Sequence, residues 1–200
     1  MELAQEIVAD GVLDSRRRHG RSKAGSTGSE AVRNLSPWWC ASLLFVSAAA
    51  AAADGGLDRI AVYAGTWHTR AEHYATPYSK AGAETRVLRN DCWRGRAFYA
   101  CEQIVDGQSK ALIVFQRGDD DNHYVTHALP VDGHAAGDGR LVVDGERWIF
   151  PWQFSDHGKT VYARTVNVFS GRDRIDYRQE YSYDQVHWTA MAKGVETRQP

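Results

Sequence analysis

The architecture of this chain is easiest to recognise in nine consecutive residues, Glu146-Arg147-Trp148-Ile149-Phe150-Pro151-Trp152-Gln153-Phe154. Large aromatic side chains occupy every second position, at Trp148, Phe150, Trp152 and Phe154. Because side chains alternate between the two faces of a β-strand, all four aromatic groups point to one side. Burial of this stripe contributes on the order of several kcal/mol to a folded β-protein. Pro151 cannot donate to a strand ladder, so it predicts an edge position or a bulge.

Similar alternating runs lie on both sides of this strand, and turn signals such as Asp106-Gly107 and Asp156-His157-Gly158 separate them. The predicted strands are Thr66–Tyr74, Ala83–Cys92, Ala97–Val105, Lys110–Arg117, His123–Leu129, Arg140–Val143, Glu146–Phe154, Thr160–Phe169, Arg174–Tyr183 and Trp188–Arg198. Short connections favour antiparallel neighbours. The pattern therefore predicts an all-β, antiparallel up-and-down barrel of about 8–10 strands, with a short helical turn at Asp58–Tyr63 closing one end.

One predicted strand has two contrasting faces. Ile175, Tyr177, Gln179 and Tyr181 form a mixed aromatic and polar face, and residues 176, 178, 180 and 182 form a second face that we expect to be solvated. A semi-polar inner face is typical of a wet cavity, and it is equally typical of a sheet edge. We take Tyr177 as a candidate ligand contact.

The first 53 residues differ in composition from the rest of the chain. Residues 1–34 form a polar, basic leader that we expect to be disordered, and residues 35–53 form an apolar run that ends in six alanines. A basic region, an apolar core and small residues at the end are the pattern of a secretory signal peptide. A retained membrane anchor is the alternative. We therefore expect export to the periplasm or the extracellular space, without stable membrane insertion after cleavage, and a single barrel domain over residues 54–200.

The composition of residues 54–200, the part that we expect to be exported, indicates which partners it can bind and whether its cysteines are oxidised. Residues 54–200 contain 18 Lys and Arg against 20 Asp and Glu, with the signs interspersed, so a nucleic-acid partner is not expected. Cys92 and Cys101 are the two cysteines of this part, and an oxidising compartment favours a disulfide between them. Two buried free thiols are the alternative. The bridge requires a loop centred near Arg96 rather than a two-residue turn at Arg94-Gly95.

Several short motifs resemble those of known barrels. Gly65-Thr66-Trp67, at the start of the first strand, resembles the Gly-x-Trp signature of lipocalins and the wider calycin superfamily. Thr76-Pro77, Cys92-Trp93 and the run from Ser182 to Trp188 are similar to a group of bacterial lipocalin-like proteins of unknown function, the DUF1579-like families. This resemblance implies a fold rather than an activity, and it implies that Trp67 closes the base of the barrel.

Haem-binding barrels of the nitrobindin type carry the longer pattern Gly-x-Trp-x-Gly-x-Gly. Here His68-Thr69-Arg70-Ala71 follows Trp67, so the later glycines are missing, and His187 lies in a turn context. No cofactor is therefore expected.

Candidate catalytic and metal-binding residues are sparse. His123 and His127 share a strand face but lie about 13 Å apart in an extended strand, too far to share one metal ion. The run Asp119-Asp120-Asp121-Asn122 lacks the spacing of a known calcium loop, so no metal site is expected. Glu72 and Glu102 are candidate buried acids, and the sequence gives no reason to choose between them.

These patterns favour an exported, non-enzymatic protein that binds a small, mostly apolar ligand in the barrel. The candidate ligand contacts are Trp67, Trp148, Phe150, Trp152, Phe154 and Tyr177. Two alternatives stay open. One is an enzyme of the isomerase or cyclase type that uses the barrel cavity, and the other is a packed barrel with a structural or interaction role.

Overall fold

The computed structural model describes residues 55–133 and 138–200. The predicted leader and signal region lie outside the described residues and stay predictions. The described part begins with a one-turn helix, α1 (Gly55–Asp58), which continues as a 3-10 helix (Arg59–Tyr63). Ten strands follow in the described residues: β1 (Gly65–His73), β2 (Gly82–Arg94), β3 (Tyr99–Val105), β4 (Gln108–Arg117), β5 (His123–Pro130), β6 (Asp138–Asp144), β7 (Arg147–Asp156), β8 (Lys159–Phe169), β9 (Arg174–Ser182) and β10 (Thr189–Arg198).

Each described strand pairs with its neighbours in the chain, and β1 pairs with β10 to close the barrel. Every pairing between these strands is antiparallel. Closure removes the free edges that an open sheet would expose. The predicted fold class, an antiparallel up-and-down barrel with an N-terminal helical turn, is confirmed.

Tight turns connect several of the strands. Asp106 and Gly107, between β3 and β4, have φ angles of 48° and 81°, and His157 and Gly158, between β7 and β8, have φ angles of 46° and 78°. Positive φ at both central residues is the conformation whose twist matches two antiparallel strands. Asp106 adds a side-chain hydrogen bond, because its Oδ1 accepts from the backbone N–H of Val87 at 2.9 Å.

The β2–β3 hairpin contains the predicted disulfide. Cys92 and Cys101 are directly opposite each other and are joined, with their Cα atoms 4.0 Å apart. The connecting loop runs from Gly95 to Phe98, where the N–H of Gly95 donates to the carbonyl of Phe98 at 2.9 Å. The loop is therefore centred near Arg96, as the bridge requires.

Pro151 lies on an unpaired side of β7. Strand β7 pairs with β8 from Arg147 to Asp156, but its pairing with β6 covers only Arg147–Ile149. The missing N–H of Pro151 therefore removes no hydrogen bond to β6. This local edge agrees with the edge position that proline predicts.

The outer face of β9 is less solvated than expected. Glu180 and Ser182 are buried, which corrects the expectation that residues 176–182 of this face are all exposed. The Glu180 carboxylate lies 2.7 Å from both Arg164 and Arg178, and the Arg164 guanidinium stacks 3.7 Å from the Trp188 ring centroid. The loop after β9 thus folds back over the wall and covers it.

The interior contains two apolar clusters. The larger one packs the helical turns against the first part of β1 and the strand ends beside it, and the smaller one lies at the opposite end, around Val161, Tyr181 and Met191. No helix in the described ranges is both long enough and apolar enough to cross a membrane.

Candidate functional site

The end of the barrel that the helical turns close has an aromatic floor, which we define as Tyr63, Trp67, Trp148, Phe150 and Phe169. The Tyr63 ring lies 5.4 Å from the rings of both Trp148 and Phe169, in edge-to-face contact. Trp67 is fully buried and donates its indole N–H to the carbonyl of Tyr63 at 3.0 Å. Trp67 therefore lies at the closed base, where its resemblance to the Gly-x-Trp signature placed it.

Arg198 covers the floor from outside. Its guanidinium lies 4.2 Å from the centroid of the Trp67 ring and donates to the carbonyl of Val62 at 2.6 Å. A second hydrogen bond goes to the carbonyl of Ala64. These contacts fix the helical turns to the end of β10, so this end of the barrel is closed.

The opposite end has a partly exposed rim cluster, which we define as Tyr78, Trp152, Phe154, Tyr181 and Met191. Tyr78 comes from the β1–β2 loop, and its ring contacts Phe154 and Tyr181 at centroid distances of 5.1 and 4.9 Å. Trp152 and Phe154 are half-buried here, whereas Trp148 and Phe150 of the same strand are buried in the floor. The aromatic stripe of β7 therefore runs from the floor to the rim.

A latch formed by hydroxyl and carboxylate groups holds the β1–β2 loop across the rim. The Tyr78 hydroxyl donates to Asp156 Oδ2 at 2.9 Å and lies 2.9 Å from the Tyr183 hydroxyl. The pKa of Tyr78 is raised well above its usual range. Burial makes the largest contribution, and the two hydrogen bonds raise the pKa further. The latch joins the β1–β2 loop to the ends of β7 and β9.

Between the floor and the rim, polar side chains line the interior wall. We call this set the polar belt, and it consists of Thr69, Asn90, Gln103, Thr165 and Gln179. Register gives their direction, since residues directly opposite in an antiparallel pair share a face. Thr165 lies opposite Phe150 of the floor and Gln179 of β9, and Asn90 lies opposite Gln103.

Every residue of the belt has a buried polar atom without a hydrogen-bond partner. Seven buried side-chain atoms in the described residues have no hydrogen-bond partner: Thr69 Oγ1, Asn90 Oδ1, Gln103 Nε2 and Oε1, Trp152 Nε1, Thr165 Oγ1 and Gln179 Nε2. All seven belong to the belt or to the neighbouring indole of Trp152. Asn90 uses its other amide atom to donate to the carbonyl of Tyr63 at 3.1 Å.

The free-energy cost of burying such atoms without partners is large compared with the stability of a protein. A buried polar group without a partner costs about 1–3 kcal/mol, and whole domains are stable by only about 5–15 kcal/mol. Seven of them around one interior would offset much of the stability of the domain. Their concentration in one place indicates a surface that hydrogen-bonds to a bound molecule or to water.

Glu196 is a buried acid on the same wall. It lies on β10 opposite Thr69 of β1 and opposite Ile175 of β9, and it is 8% exposed. Removal of the carboxyl from water raises its pKa, because burial disfavours the charged form. Glu196 therefore adds an acid whose neutral form is favoured.

The predicted ligand contacts lie at different heights along the barrel axis, between the floor and the rim. Trp67, Trp148 and Phe150 belong to the floor, and Trp152 and Phe154 belong to the rim cluster. Tyr177 lies between them on β9, where Gly194 of β10 leaves room for its ring: a Cβ at Gly194 would lie 2.5 Å from ring carbons. The structure brings all six to the barrel interior, and their contact with a ligand stays a prediction.

The acids that the sequence offered as candidates lie elsewhere. Glu72 pairs with Lys193 at 3.0 Å on the outer wall, and Glu102 accepts a hydrogen bond from Ser109 at 2.7 Å. Sequence reasoning missed Glu196, whose place in a polar run near the chain end gives no sign of burial. It also missed Gln103, because both faces of β3 are largely buried and alternation there does not reveal direction.

The histidines considered in the sequence have individual partners. His123 pairs with Asp120 at 2.7 Å, His127 with Asp138 at 2.6 Å and His187 with Asp184 at 2.7 Å. Across residues 55–133 and 138–200, no group of three or more His, Cys, Asp or Glu side chains is arranged to hold a metal ion.

Comparison with known proteins gives structural similarity only. No protein-family model and no curated protein matches the chain. Among solved structures, the chain is similar to Rv2717c from M. tuberculosis, with a TM-score of 0.47, 14% identity and coverage of 72% of this chain and 98% of that one. It is also similar to a redesigned beta barrel, with a TM-score of 0.33, 8% identity and coverage of 70% and 94%. A third similar structure is EF1p2_mFAP2b bound to DFHBI, with a TM-score of 0.32, 10% identity and coverage of 70% and 96%. The strand pairing of the described residues shows a closed ten-strand antiparallel barrel.

Proposed function

We propose that this chain is an exported binding protein that holds a small amphipathic molecule inside its barrel. The observation that carries the proposal is the group of seven unpartnered polar atoms on the interior wall, next to the aromatic floor and the rim cluster. Ligand sites typically combine apolar walls with a few polar groups that fix orientation. The ligand is therefore more polar than the sequence alone predicts, with an apolar body against Phe150 and Trp152 and polar groups at the belt.

Export is part of the proposal. It is supported by the apolar run over residues 35–53 and by the bridge between Cys92 and Cys101, since such bridges form and persist in oxidising compartments. The chain expressed in a Gram-negative host should yield a periplasmic product whose mass matches cleavage near Ala53. Recovery of the uncleaved chain from the cytoplasm would contradict export and leave the binding proposal standing.

Binding can be tested by native mass spectrometry of the full chain, purified without detergent. We expect a species heavier than the denatured chain by the mass of a small molecule, which solvent extraction then releases for identification. Gln179→Leu should lower the occupancy, and Gln153→Leu, on the exposed face of β7, is the matched control. Equal native and denatured masses would count against the proposal, and a dimer without ligand would favour the interaction role.

Glu196 favours a second candidate, an isomerase that moves a proton on the bound molecule. In such a reaction the ionised carboxylate would take a proton from one ligand carbon and return it to another, and burial of Glu196 supplies the raised pKa that general bases show. Deuterium incorporation into the extracted ligand, after incubation in D2O, tests this role. Glu196→Gln should retain the ligand and abolish incorporation, whereas a binding protein shows no incorporation in either form.

A further inference from the structure

The polar belt offers hydrogen bonds of both kinds to a ligand. The unpartnered donors include Gln103 Nε2, Gln179 Nε2 and Trp152 Nε1, and the unpartnered acceptors are Asn90 Oδ1 and Gln103 Oε1. The hydroxyl groups of Thr69 and Thr165 can act in either sense. A ligand that satisfies this set must itself present both a donor and an acceptor.

Within the described residues, the arginines at inward strand positions already have partners in the fold. Arg86 pairs with Asp106 at 2.9 Å, Arg94 pairs with Asp58 at 3.2 Å, and Arg198 donates to backbone carbonyls below Trp67. Arg117, opposite Tyr124, is engaged as well. His73 pairs with Glu84 at 3.1 Å. A carboxylate buried at the belt would therefore lose its hydration without gaining a counter-charge, which is strongly unfavourable.

Binding of a cationic ligand group at the belt is also unfavourable. Glu196 is a buried acid beside the belt, next to Thr69 and Ile175. Glu84, at another inward position of the described residues, already pairs with His73 and Arg86. Burial favours the neutral form of Glu196, and a neutral carboxyl donates one hydrogen bond and accepts another. An ammonium group at the belt would lose its hydration, and burial also disfavours the ionised form of the carboxyl with which it would pair.

From these contacts we infer that the ligand of the belt is an uncharged molecule whose polar group both donates and accepts hydrogen bonds, as a carboxamide does. This inference rests on the proposed binding function and names its ligand class. The amide group would meet Gln179 and Thr165 on one side of the interior and Gln103 on the other. Its apolar part would lie against Phe150 and Trp152 on β7.

Three probes of equal chain length test the inference: octanamide, octanoate and octylammonium, titrated into the full chain by calorimetry at neutral pH. Octanamide should bind at least about tenfold more tightly than either ion, because only the ions must lose the hydration of a full charge. Gln179→Leu should weaken octanamide binding by about tenfold and leave octanoate binding nearly unchanged. Gln153→Leu, on the outer face of β7, should change neither value.

The outcomes separate this inference from the binding proposal. If octanoate or octylammonium binds as tightly as octanamide, the inferred ligand class is wrong and interior binding stands. If Gln179→Leu weakens all three probes equally, the preference does not arise at the belt and the inference is overturned. If none of the three binds and the native mass of the full chain equals its denatured mass, both the inference and the proposed function fail.

Discussion

Thr165 illustrates, for one residue, what the proposed binding function would cost the fold. Its side chain is fully buried between Phe150 of β7 and Gln179 of β9, and its hydroxyl has no partner. Valine has nearly the same shape and no polar atom, so a purely structural wall would favour it. The hydroxyl is explained if it contacts a ligand that the fold must accommodate.

We predict that Thr165→Val raises the free energy of unfolding of the ligand-free protein by about 1 kcal/mol, because it removes an unsatisfied buried hydroxyl. The same substitution should weaken octanamide binding. Urea denaturation measures the first effect and calorimetry the second. Thr160→Val, at an exposed position of the same strand, is the control. A loss of stability in Thr165→Val would show that the hydroxyl has a partner within the folded chain.

Glu196 gives the stability a defined pH dependence. Because its folded pKa is raised above the ordinary value of 4.5, the folded state holds a proton that the unfolded chain has already released. Stability is therefore fully present below pH 4.5 and declines as the pH rises through the folded pKa, by up to about 1.4 kcal/mol per pH unit for one proton. Glu196→Gln should remove this decline in urea unfolding measured across pH. Glu72→Gln, on the outer wall, should retain it, and an identical slope in Glu196→Gln and the parent would contradict the assignment.

At the scale of single elements, one hairpin and one loop constrain the two ends of the barrel separately. The β2–β3 hairpin is closed by the disulfide, and the β1–β2 loop is held over the rim by Tyr78. These constraints act on different ends, since Cys101 belongs to the cluster that contains the floor and Tyr78 belongs to the rim cluster. Under the proposed function, a ligand would therefore enter at the rim, without unfolding the floor.

Loss of the disulfide should destabilise the barrel. Replacing both Cys92 and Cys101 by alanine releases a short loop, and we expect the free energy of unfolding to fall by roughly 2–3 kcal/mol on the chain-entropy model. Guanidinium unfolding of the double variant measures the change. Reduction of the parent protein should produce a similar loss, and an unchanged midpoint in both would contradict a bridge that stabilises the barrel.

Loss of the Tyr78 hydroxyl should loosen the β1–β2 loop. Tyr78→Phe keeps the ring contacts with Phe154 and Tyr181 but removes the hydrogen bonds to Asp156 and Tyr183. We expect ligand release to become roughly threefold to tenfold faster, in line with the loss of about 0.5–1.5 kcal/mol. Stopped-flow dissociation of octanamide measures this rate. Tyr162→Phe, on the outer face of β8, is the control, and an unchanged rate in Tyr78→Phe would exclude the latch as a gate.

At the scale of the whole molecule, the sequence predicts the barrel better than its contents. Alternation, as from Trp148 to Phe154, and turn signals, as at Asp106-Gly107, depend on local geometry. Patterns of this kind along the chain therefore predict the strands and their order. The polar belt depends on which face of each strand turns inward, and on β3 burial on both faces conceals this for Gln103. The unpartnered state of Gln103 and Thr165 is a property of packing between distant strands, which no local pattern encodes.

The claim that the interior wall binds a small molecule can be tested most directly by NMR of the isotope-labelled chain during titration with octanamide. We predict shifts in the side-chain amide signals of Gln103 and Gln179 and in the indole signal of Trp152. The signals of Gln153 and Trp188, which lie on the outer surface, should stay in place. Shifts confined to Gln153 and Trp188, or no shifts at saturating octanamide, would contradict the account.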